Sequence, residues 1–217
     1  MPLPPLGHTL LTQPWAFEGG VFIPDLASRM HELPPPNVEI QVLGEGADSV
    51  VEFLKSRGRR AVVSTSVLSE VPAPARPAWR LWRAADWVEE RSIEPGSRVL
   101  DFGCGSGRDA VALAAKGHDV TGFDVLPDAL LRARDLESRY GDGPPVTWTQ
   151  FPRDALFDLV LLLRCGRREL LETAFKHVAP GGSLWFTGKT DVFADLSSHH
   201  PIHLEPGPVW TRAEFMG

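Results

Sequence analysis

The chain has 217 residues, of which 43% are hydrophobic and 23% charged, and its formal net charge is −6 at pH 7. This balance is ordinary for a globular protein, and the interspersed acids and bases favour neither a nucleic-acid partner nor a membrane partner. The two cysteines, Cys104 and Cys165, are too few for a disulfide framework or a zinc site, which favours a reducing, cytoplasmic setting.

The first third of the chain carries a short series of predicted elements. These are a helix after Ile23-Pro24, a strand over Val38–Leu43, a glycine loop, a helix over Asp48–Arg57 and a strand over Arg60–Ser64. This order resembles the C-terminal half of a rhodanese-like domain. In a working sulfurtransferase of that family the loop begins with a cysteine, whereas Leu43 stands at that place here. The resemblance therefore implies a degenerate, shortened rhodanese-like segment over residues 1–70 that cannot carry sulfur.

A proline-rich stretch follows this segment. Val71–Pro77 reads VPAPARP and lacks helical periodicity, which predicts a linker. We therefore expect a second domain over residues 78–217.

Strands and helices alternate through this second domain. Helices are predicted over Trp79–Arg91, Ala110–Ala115, Pro127–Tyr140 and Arg168–Val178, and strands over Arg98–Phe102, Val120–Phe123, Val146–Thr149, Phe157–Leu163 and Ser183–Thr187. The alternation is typical of an α/β, Rossmann-like fold, in which an open and mostly parallel sheet carries helices on both faces. Ligands of such sheets bind at the carboxyl ends of the strands.

A glycine loop lies at the first of those strand ends. Residues 101–107 read DFGCGSG, and Gly103, Gly105 and Gly107 allow the backbone to turn tightly and to approach a ligand closely. Asp124 ends the next strand, where a carboxylate can accept hydrogen bonds from two ribose hydroxyls. The loop and this acid together predict a nucleoside ligand.

Two residues argue against a dinucleotide in this loop. Arg108 takes the position of the third glycine of the dinucleotide fingerprint, and Asp101 would repel a pyrophosphate. Asp101 would instead suit a cationic ligand, with an amino group, a sulfonium or both.

The stretch 98–124 resembles motifs I and II of class I S-adenosylmethionine-dependent methyltransferases. FDLVLLLRC at 157–165 resembles the fourth-strand motif of this family, and LETAFKHVAPGGSLWFTG at 171–188 resembles its helix, Pro-Gly-Gly turn and fifth strand. GSGRDA at 105–110 and VLPDALLRAR at 125–134 are similar to small-molecule methyltransferases of the tellurite-resistance and thiopurine type. The resemblance implies S-adenosylmethionine as the cofactor and a small-molecule methyl acceptor.

The resemblance also implies roles for the residues of the glycine loop and for the acids beside it. Asp101 would stabilise the methionine amine of the cofactor, and Asp124 would hold the ribose hydroxyls. Gly103, Gly105 and Gly107 would pack under the cofactor.

Residues after the third and fourth strands would complete the cofactor site. The family usually carries an acid after the third strand to read the adenine amino group, and here Gln150 would hydrogen-bond the adenine or Phe151 would stack on it. Leu163 and Arg164 would lie near the methyl-donor end, where Arg164 either recognises an acidic substrate or forms a surface ion pair. Cys165 is expected to be a small core residue.

The end of the chain departs from the family pattern. After Thr187 the sequence predicts at most one short strand and one helical start, Thr211–Met216, where the family has two further strands. The chain would then be a reduced family member, or a homodimer that completes its sheet. His199, His200 and His203 predict a polar loop rather than a metal site, because Pro201 breaks the helix that would align them.

The sequence contains no catalytic signature, so we assign no catalytic residue and no metal ligand. In-line displacement at an activated methyl group requires the nucleophile to be placed about 3 Å from the methyl carbon, and a soft nucleophile such as a thiolate needs no base. We therefore predict in-line methyl transfer to a small molecule. A non-catalytic, S-adenosylmethionine-binding regulatory module stays open as the alternative.

Overall fold

The computed structural model describes residues 3–66, 69–71, 76–151, 154–163, 168–188, 202–205 and 211–216. The chain divides into two compact units, Leu3–Ala84 and Ala85–Gly217, which we call the first and the second unit. The division falls after the predicted linker 71–77, of which residues 72–75 lie outside the described residues. None of the described helices has the length and apolar character needed to cross a bilayer.

The first unit is built on a four-stranded sheet in which all neighbouring strands are parallel. The strand order is β2-β1-β3-β4, and the elements are β1 (Thr9–Leu11), β2 (Gly20–Phe22), β3 (Glu39–Leu43), α1 (Ala47–Ser56) and β4 (Arg60–Val63). Val51 and Leu54 of α1 share a buried cluster with Leu10 and Ile40 of the sheet. The apolar face of α1 is therefore what closes this core.

Two features of the first unit differ from the prediction. β1 and β2 were not predicted, because three-residue strands are too short to show an alternating pattern. The helix predicted after Ile23-Pro24 is wrong, since this stretch forms turns and a single 3₁₀ turn at Met30–Glu32. Arg29 closes the turn by donating to the Pro24 carbonyl over 2.7 Å. The prolines at 34–36 stop a helix from continuing, because Leu33 before them is extended.

The second unit contains a seven-stranded sheet with the order β10-β11-β9-β8-β5-β6-β7. Its elements are α2 (Asp86–Glu90), β5 (Arg98–Phe102), α3 (Arg108–Ala115), β6 (Asp119–Phe123), α4 (Pro127–Tyr140), β7 (Thr147–Thr149), β8 (Phe157–Leu162), α5 (Arg168–Phe175), β9 (Val178–Gly188), β10 (Ile202–Glu205) and β11 (Thr211–Met216). β11 runs antiparallel to β9 and to β10, and the other neighbouring pairs are parallel. The predicted α/β, Rossmann-like fold is confirmed.

The register of the central strands brings the predicted site residues to one edge of the sheet. β5 lies between β8 and β6, and Asp101 and Phe102 pair with Gly122 and Phe123. The two strands therefore end side by side. The glycine loop that follows β5 must meet Asp124, which follows β6.

The C-terminal prediction is wrong in its secondary structure. Thr211–Met216 forms β11 rather than a helical start, and it pairs along its whole length with residues 183–188 of β9. Backbone pairing with an otherwise open sheet edge outweighs the weak local preference of this short stretch for a helix. With β10 added beyond β11, two strands follow β9 rather than one, and the sheet reaches seven strands within the described residues. The homodimer stays a prediction.

The helix predicted over Trp79–Arg91 forms only over its last residues, as α2 (Asp86–Glu90). Its apolar stripe is divided between two cores, because Trp79 and Leu81 contribute to the core of the first unit whereas Trp87 is buried in the second. The periodicity reflects burial at both ends of the stretch and not a continuous helix.

Candidate functional site

A cavity of about 730 Å³ opens at the carboxyl ends of β5 and β6. Its walls come from the glycine loop, the first turn of α3, the start of the β6–α4 connection, Leu163 after β8, and Leu170 and Thr173 of α5. The volume lies within the range of small-molecule and cofactor sites, and the position is the one at which open parallel sheets bind their ligands.

The glycine loop adopts a backbone that side chains would oppose. Gly103, Gly105 and Gly107 have φ values of 81°, 55° and 77°, in the left-handed region that favours glycine. The N–H groups of Gly103 and Cys104 both donate to the Phe123 carbonyl, over 2.8 Å each, and this ties the loop to the end of β6. A Cβ on Gly103 or Gly105 would meet no other atom within 4 Å, so these two glycines expose their backbone to the cavity.

The third glycine faces the protein interior. A Cβ on Gly107 would lie 2.6 Å from the ring of Trp148 and 2.8 Å from Cβ of Ala133. Gly107 is also the N-cap of α3, and its carbonyl accepts the Val111 N–H over 2.8 Å. Glycine is therefore required at this position both by φ and by close packing.

Both carboxylate oxygens of Asp124 are held by backbone amides. The Gly105 N–H donates to Oδ2 and the Leu126 N–H donates to Oδ1, over 2.9 Å in each case. These bonds fix the carboxylate at the cavity wall, and each oxygen keeps lone-pair capacity for a hydroxyl donor of a ligand.

The loop lies in a negative electrostatic field. Burial raises the pKa of the Cys104 thiol, and the nearby carboxylates of Asp101, Asp124 and Asp109 raise it further. Asp101 and Asp109 are buried, with 3% and 5% of their surface exposed. Cys104 therefore stays a neutral thiol, and the field that disfavours its thiolate favours a cationic ligand in the same place.

Asp109 also has a structural contact. It is the second residue of α3, and its Oδ1 accepts the N–H of Ala85, the residue that precedes α2, over 2.6 Å. The carboxylate thus joins the first turn of α3 to the start of α2 while it lines the cavity.

The structure brings most of the predicted cofactor residues together. Four of the nine line the cavity: Gly103, Gly105, Asp124 and Leu163. Asp101 lies in β5 just before the loop, and Gly107 lies between the loop and α3. Their predicted roles toward a cofactor stay predictions.

The residues predicted to read adenine lie beside the cavity rather than in its wall. Gln150 Nε2 donates to the carbonyl of Val125 over 3.3 Å, and Val125 lines the cavity. Phe151 is 79% exposed. Arg164 and Cys165 lie outside the described residues.

The predicted histidine loop lies largely outside the described residues too. This holds for His199 and His200, whereas the backbone of His203 belongs to β10.

Several residues that line the cavity were not predicted from the sequence. Arg108 was considered only as a position of the dinucleotide fingerprint, and Asp109 was given no role, although the first turn of a helix after a glycine loop faces the ligand by geometry. Leu170 and Thr173, both in the helix predicted from Arg168, were given no role in the site. Their three-residue spacing on α5 places both on one helix face, and this signal could have identified a wall of the site.

Comparisons with known proteins match the part of the chain that contains the cavity residues. The family model described as a methyltransferase domain matches residues 77–204. The chain is 34% identical over 116 residues to the ribosomal protein L11 methyltransferase of Aliivibrio salmonicida, a match that covers 51% of this chain and 39% of that protein. It is 31% identical over 140 residues to the ubiquinone biosynthesis O-methyltransferase of Pseudomonas fluorescens, covering 56% of this chain and 59% of that protein.

A solved structure shares the fold. The ribosomal protein L11 methylase of Lactobacillus delbrueckii subsp. bulgaricus matches with a TM-score of 0.51 and 19% identity, over 59% of this chain and 73% of that chain. The chain thus spans between 39% and 59% of the length of the two curated relatives. Because the family model matches more than half of the chain, the chain belongs to the methyltransferase-domain family, and this part of the prediction is confirmed.

Proposed function

We propose that this chain binds S-adenosylmethionine in the cavity at the carboxyl ends of β5 and β6, and that it methylates a small-molecule acceptor. The observation that carries the proposal is the Asp124 carboxylate, which two backbone amides hold at the cavity wall beside the glycine loop. We place this activity in the predicted domain 78–217.

The residues present fit this cofactor. Gly103 and Gly105 form a cradle that any side chain would fill, and they leave the loop backbone accessible. The field of Asp101, Asp109 and Asp124, which raises the pKa of Cys104, favours a ligand that carries both a sulfonium and an ammonium group. An anionic pyrophosphate would be disfavoured in the same field.

Individual residues would hold different parts of the cofactor. Asp124 would accept hydrogen bonds from the ribose hydroxyls, and Asp101 would stabilise the methionine amine. Arg108 lines the cavity as the first residue of α3, where its guanidinium and the helix N-terminus would both favour the cofactor carboxylate. Gln150 and Phe151 would contact the adenine from beside Val125.

The bound cofactor would supply an already activated methyl group on its sulfonium sulfur. The protein itself would orient the acceptor and exclude water from the cavity. Apolar side chains such as Phe102, Leu163 and Leu170 line the cavity and would exclude water. Cys104 also lines it, and its raised pKa keeps the thiol protonated, so that it does not compete with the acceptor as a nucleophile.

Calorimetric titration of the full chain tests the cofactor assignment. We expect S-adenosylmethionine and S-adenosylhomocysteine to bind with dissociation constants on the order of micromolar, and NAD not to bind. Binding of NAD alone would refute the proposal, and so would an Asp124→Ala variant that binds as tightly as the parent.

The acceptor class needs its own experiment, because the relatives differ. One is named for a ribosomal protein and the other for ubiquinone biosynthesis. Transfer of a radiolabelled methyl group should be measured to a panel of small thiols, phenols and amines and, in parallel, to purified ribosomal proteins. Labelling confined to the ribosomal proteins would contradict a small-molecule acceptor. Tight cofactor binding without any labelling would favour the regulatory module.

For residues 1–70 we propose a rhodanese-like segment without sulfurtransferase activity. The parallel sheet of the first unit and the glycine loop between β3 and α1 support the resemblance, and Leu43 at the end of β3 cannot form a persulfide. The full chain should form no thiocyanate from thiosulfate and cyanide. Thiocyanate formation at an enzymatic rate would overturn this part of the proposal.

A further inference from the structure

We propose that Trp148 and Glu137, two residues outside the cavity, act as a pair that positions the glycine loop and thereby sets the affinity for the cofactor. The inference rests on the proposed function for its binding readout. Trp148 lies in β7 and Glu137 in α4, and neither lines the cavity.

The indole of Trp148 fills the space beside two glycines. A Cβ on Gly107 would lie 2.6 Å from Cη2 of the ring, and a Cβ on Gly122 would collide with Cζ3 and Cε3. Gly107 ends the glycine loop, and Gly122 lies in β6, two residues before Asp124. One ring therefore packs against both backbone segments that carry the cavity's polar groups.

Glu137 fixes the orientation of that ring. Its Oε2 accepts the indole Nε1–H of Trp148 over 2.6 Å, and its Oε1 accepts the N–H of Val146 over 2.7 Å. Both carboxylate oxygens are used, one on the ring and one on the backbone that leads into β7. Hydrogen bonds to a charged acceptor are among the stronger ones in proteins, so the ring is held on a defined plane.

The contacts of Gly107 transmit this position to the cavity. Its N–H donates to the carbonyl of Cys104 over 2.9 Å, within the loop, and its carbonyl accepts from Val111 in α3. Gly105 lies between Cys104 and Gly107 in the loop, and its N–H donates to the Asp124 carboxylate. A displaced indole would let Gly107 move, and with it the loop amide that holds Asp124 and the first turn of α3 that carries Arg108.

A second indole–carboxylate pair in the same unit provides a matched control. Trp185 of β9 donates its Nε1–H to Oε1 of Glu214 in β11 over 3.0 Å. Neither residue lines the cavity, and none of the loop glycines has Trp185 among its nearest neighbours. Loss of this pair should lower stability without moving the glycine loop.

The experiment compares Trp148→Phe and Glu137→Gln with Trp185→Phe and Glu214→Gln in the full chain. Affinity for S-adenosylhomocysteine is measured by calorimetry, well below the unfolding temperature of each variant. We expect the first two variants to bind about tenfold more weakly, the equivalent of about 1.4 kcal/mol. The two control variants should bind as the parent does, even where their unfolding temperature falls. Unchanged affinity in the first pair, or an equal loss in both pairs, would overturn the positioning role.

A cofactor-independent readout separates this inference from the proposed function. In a Cys165→Ser background, the alkylation rate of Cys104 reports on how firmly the loop is held, because the loop contains this thiol. Trp148→Phe and Glu137→Gln should raise the rate severalfold, and the Trp185 and Glu214 variants should not. If the parent chain bound no S-adenosylhomocysteine, the proposed function would fail, and the alkylation rates would still decide whether the pair positions the loop.

Discussion

The two units share one backbone motif, but the residues around it differ. In each, a parallel strand runs through a glycine loop into a helix whose N-cap is a left-handed glycine. Gly46 caps α1 with φ 74° and ψ 15°, and Gly107 caps α3 with φ 77° and ψ 13°. Neither helix has a side-chain hydrogen bond at its cap. The backbone at the start of the helix is therefore nearly the same in both units.

The surroundings of the two loops make the difference. In the first unit, a Cβ on Gly44 would collide with Thr12 and would lie 3.2 Å from the ring of Trp15, so side chains already cover this part of the loop. In the second unit, Gly103 and Gly105 face open space, and the next strand delivers Asp124 to the loop. The two loops therefore differ in how far side chains cover them and in the carboxylate that the neighbouring strand end supplies.

The largest effect that we expect comes from removing that polar group. Asp124→Ala should weaken binding of S-adenosylhomocysteine by about 100-fold or more, because hydrogen bonds to a charged group contribute about 1.5–3 kcal/mol each and two ribose hydroxyls would lose theirs. Glu45→Ala in the other glycine loop should leave the affinity unchanged. Calorimetric titration measures both variants, and a similar loss in both would contradict the contrast between the loops.

Alanine substitutions at Gly46 and Gly107 separate the effect of packing from that of backbone strain, because the two N-cap glycines have nearly the same φ. Gly46→Ala should destabilise the first unit by about 1–2 kcal/mol, the cost of a left-handed alanine, because a Cβ there meets no atom within 4 Å. Gly107→Ala should cost about 2–5 kcal/mol, since overpacking against Trp148 and Ala133 adds about 1–3 kcal/mol to the same backbone term. Urea unfolding followed by circular dichroism measures the difference. Equal losses would mean that the ring of Trp148 yields freely.

The first residue of each helix offers a finer comparison, because α1 begins with Ala47 and α3 with Arg108. If Arg108 pairs with the cofactor carboxylate, Arg108→Met should lower the affinity for S-adenosylhomocysteine by about tenfold, or about 1.4 kcal/mol of binding free energy. Methylthioadenosine has the same nucleoside but no carboxylate, so its affinity should not change. Competition binding with both ligands measures this, and a parallel loss for both would assign Arg108 to loop structure instead.

Local sequence patterns predict the central strands β5 and β6 of the second unit and the start of α4. β5 and β6 are short strands, followed by a glycine loop and by an acid, respectively, and Pro127 stands at the start of α4, a position that favours proline. These signals depend on residues close in sequence. They sufficed to predict the cavity edge and the positions of Gly103 and Asp124 at it.

Other features depend on partners that are distant in the chain. β11 has no strong strand signal of its own and forms because the edge of β9 is available. The hydrogen bond between Trp148 and Glu137 joins β7 to α4, and neither a tryptophan nor a glutamate at these positions predicts that contact. The stripe over Trp79–Arg91 satisfied a helical period because its two ends are buried in separate cores. A periodic pattern of apolar residues indicates that these residues are buried. Only the tertiary structure shows which core each of them is buried in.

The smallest effect that we expect is a pH dependence of the second unit. His118, between α3 and β6, is 3% exposed, and its Nδ1 has no hydrogen-bond partner within the described part of the chain. Burial lowers the pKa of this imidazole, and the charge of Lys116 lowers it further. The folded protein thus favours the neutral ring, while the unfolded chain takes up a proton near its ordinary pKa of about 6.5.

Stability should therefore be full above about pH 6.5 and should fall as the pH decreases below it, until the lowered pKa of the folded state is passed. His118→Leu would remove the proton uptake and flatten this slope, because a leucine keeps the site apolar at every pH. Urea unfolding at several values between about pH 7 and about pH 5 measures the slope in both proteins. A slope as steep in the variant as in the parent would assign the acid sensitivity to other groups. A flattened slope would show that even the end of the sheet opposite the cavity has a residue whose charge state the fold controls.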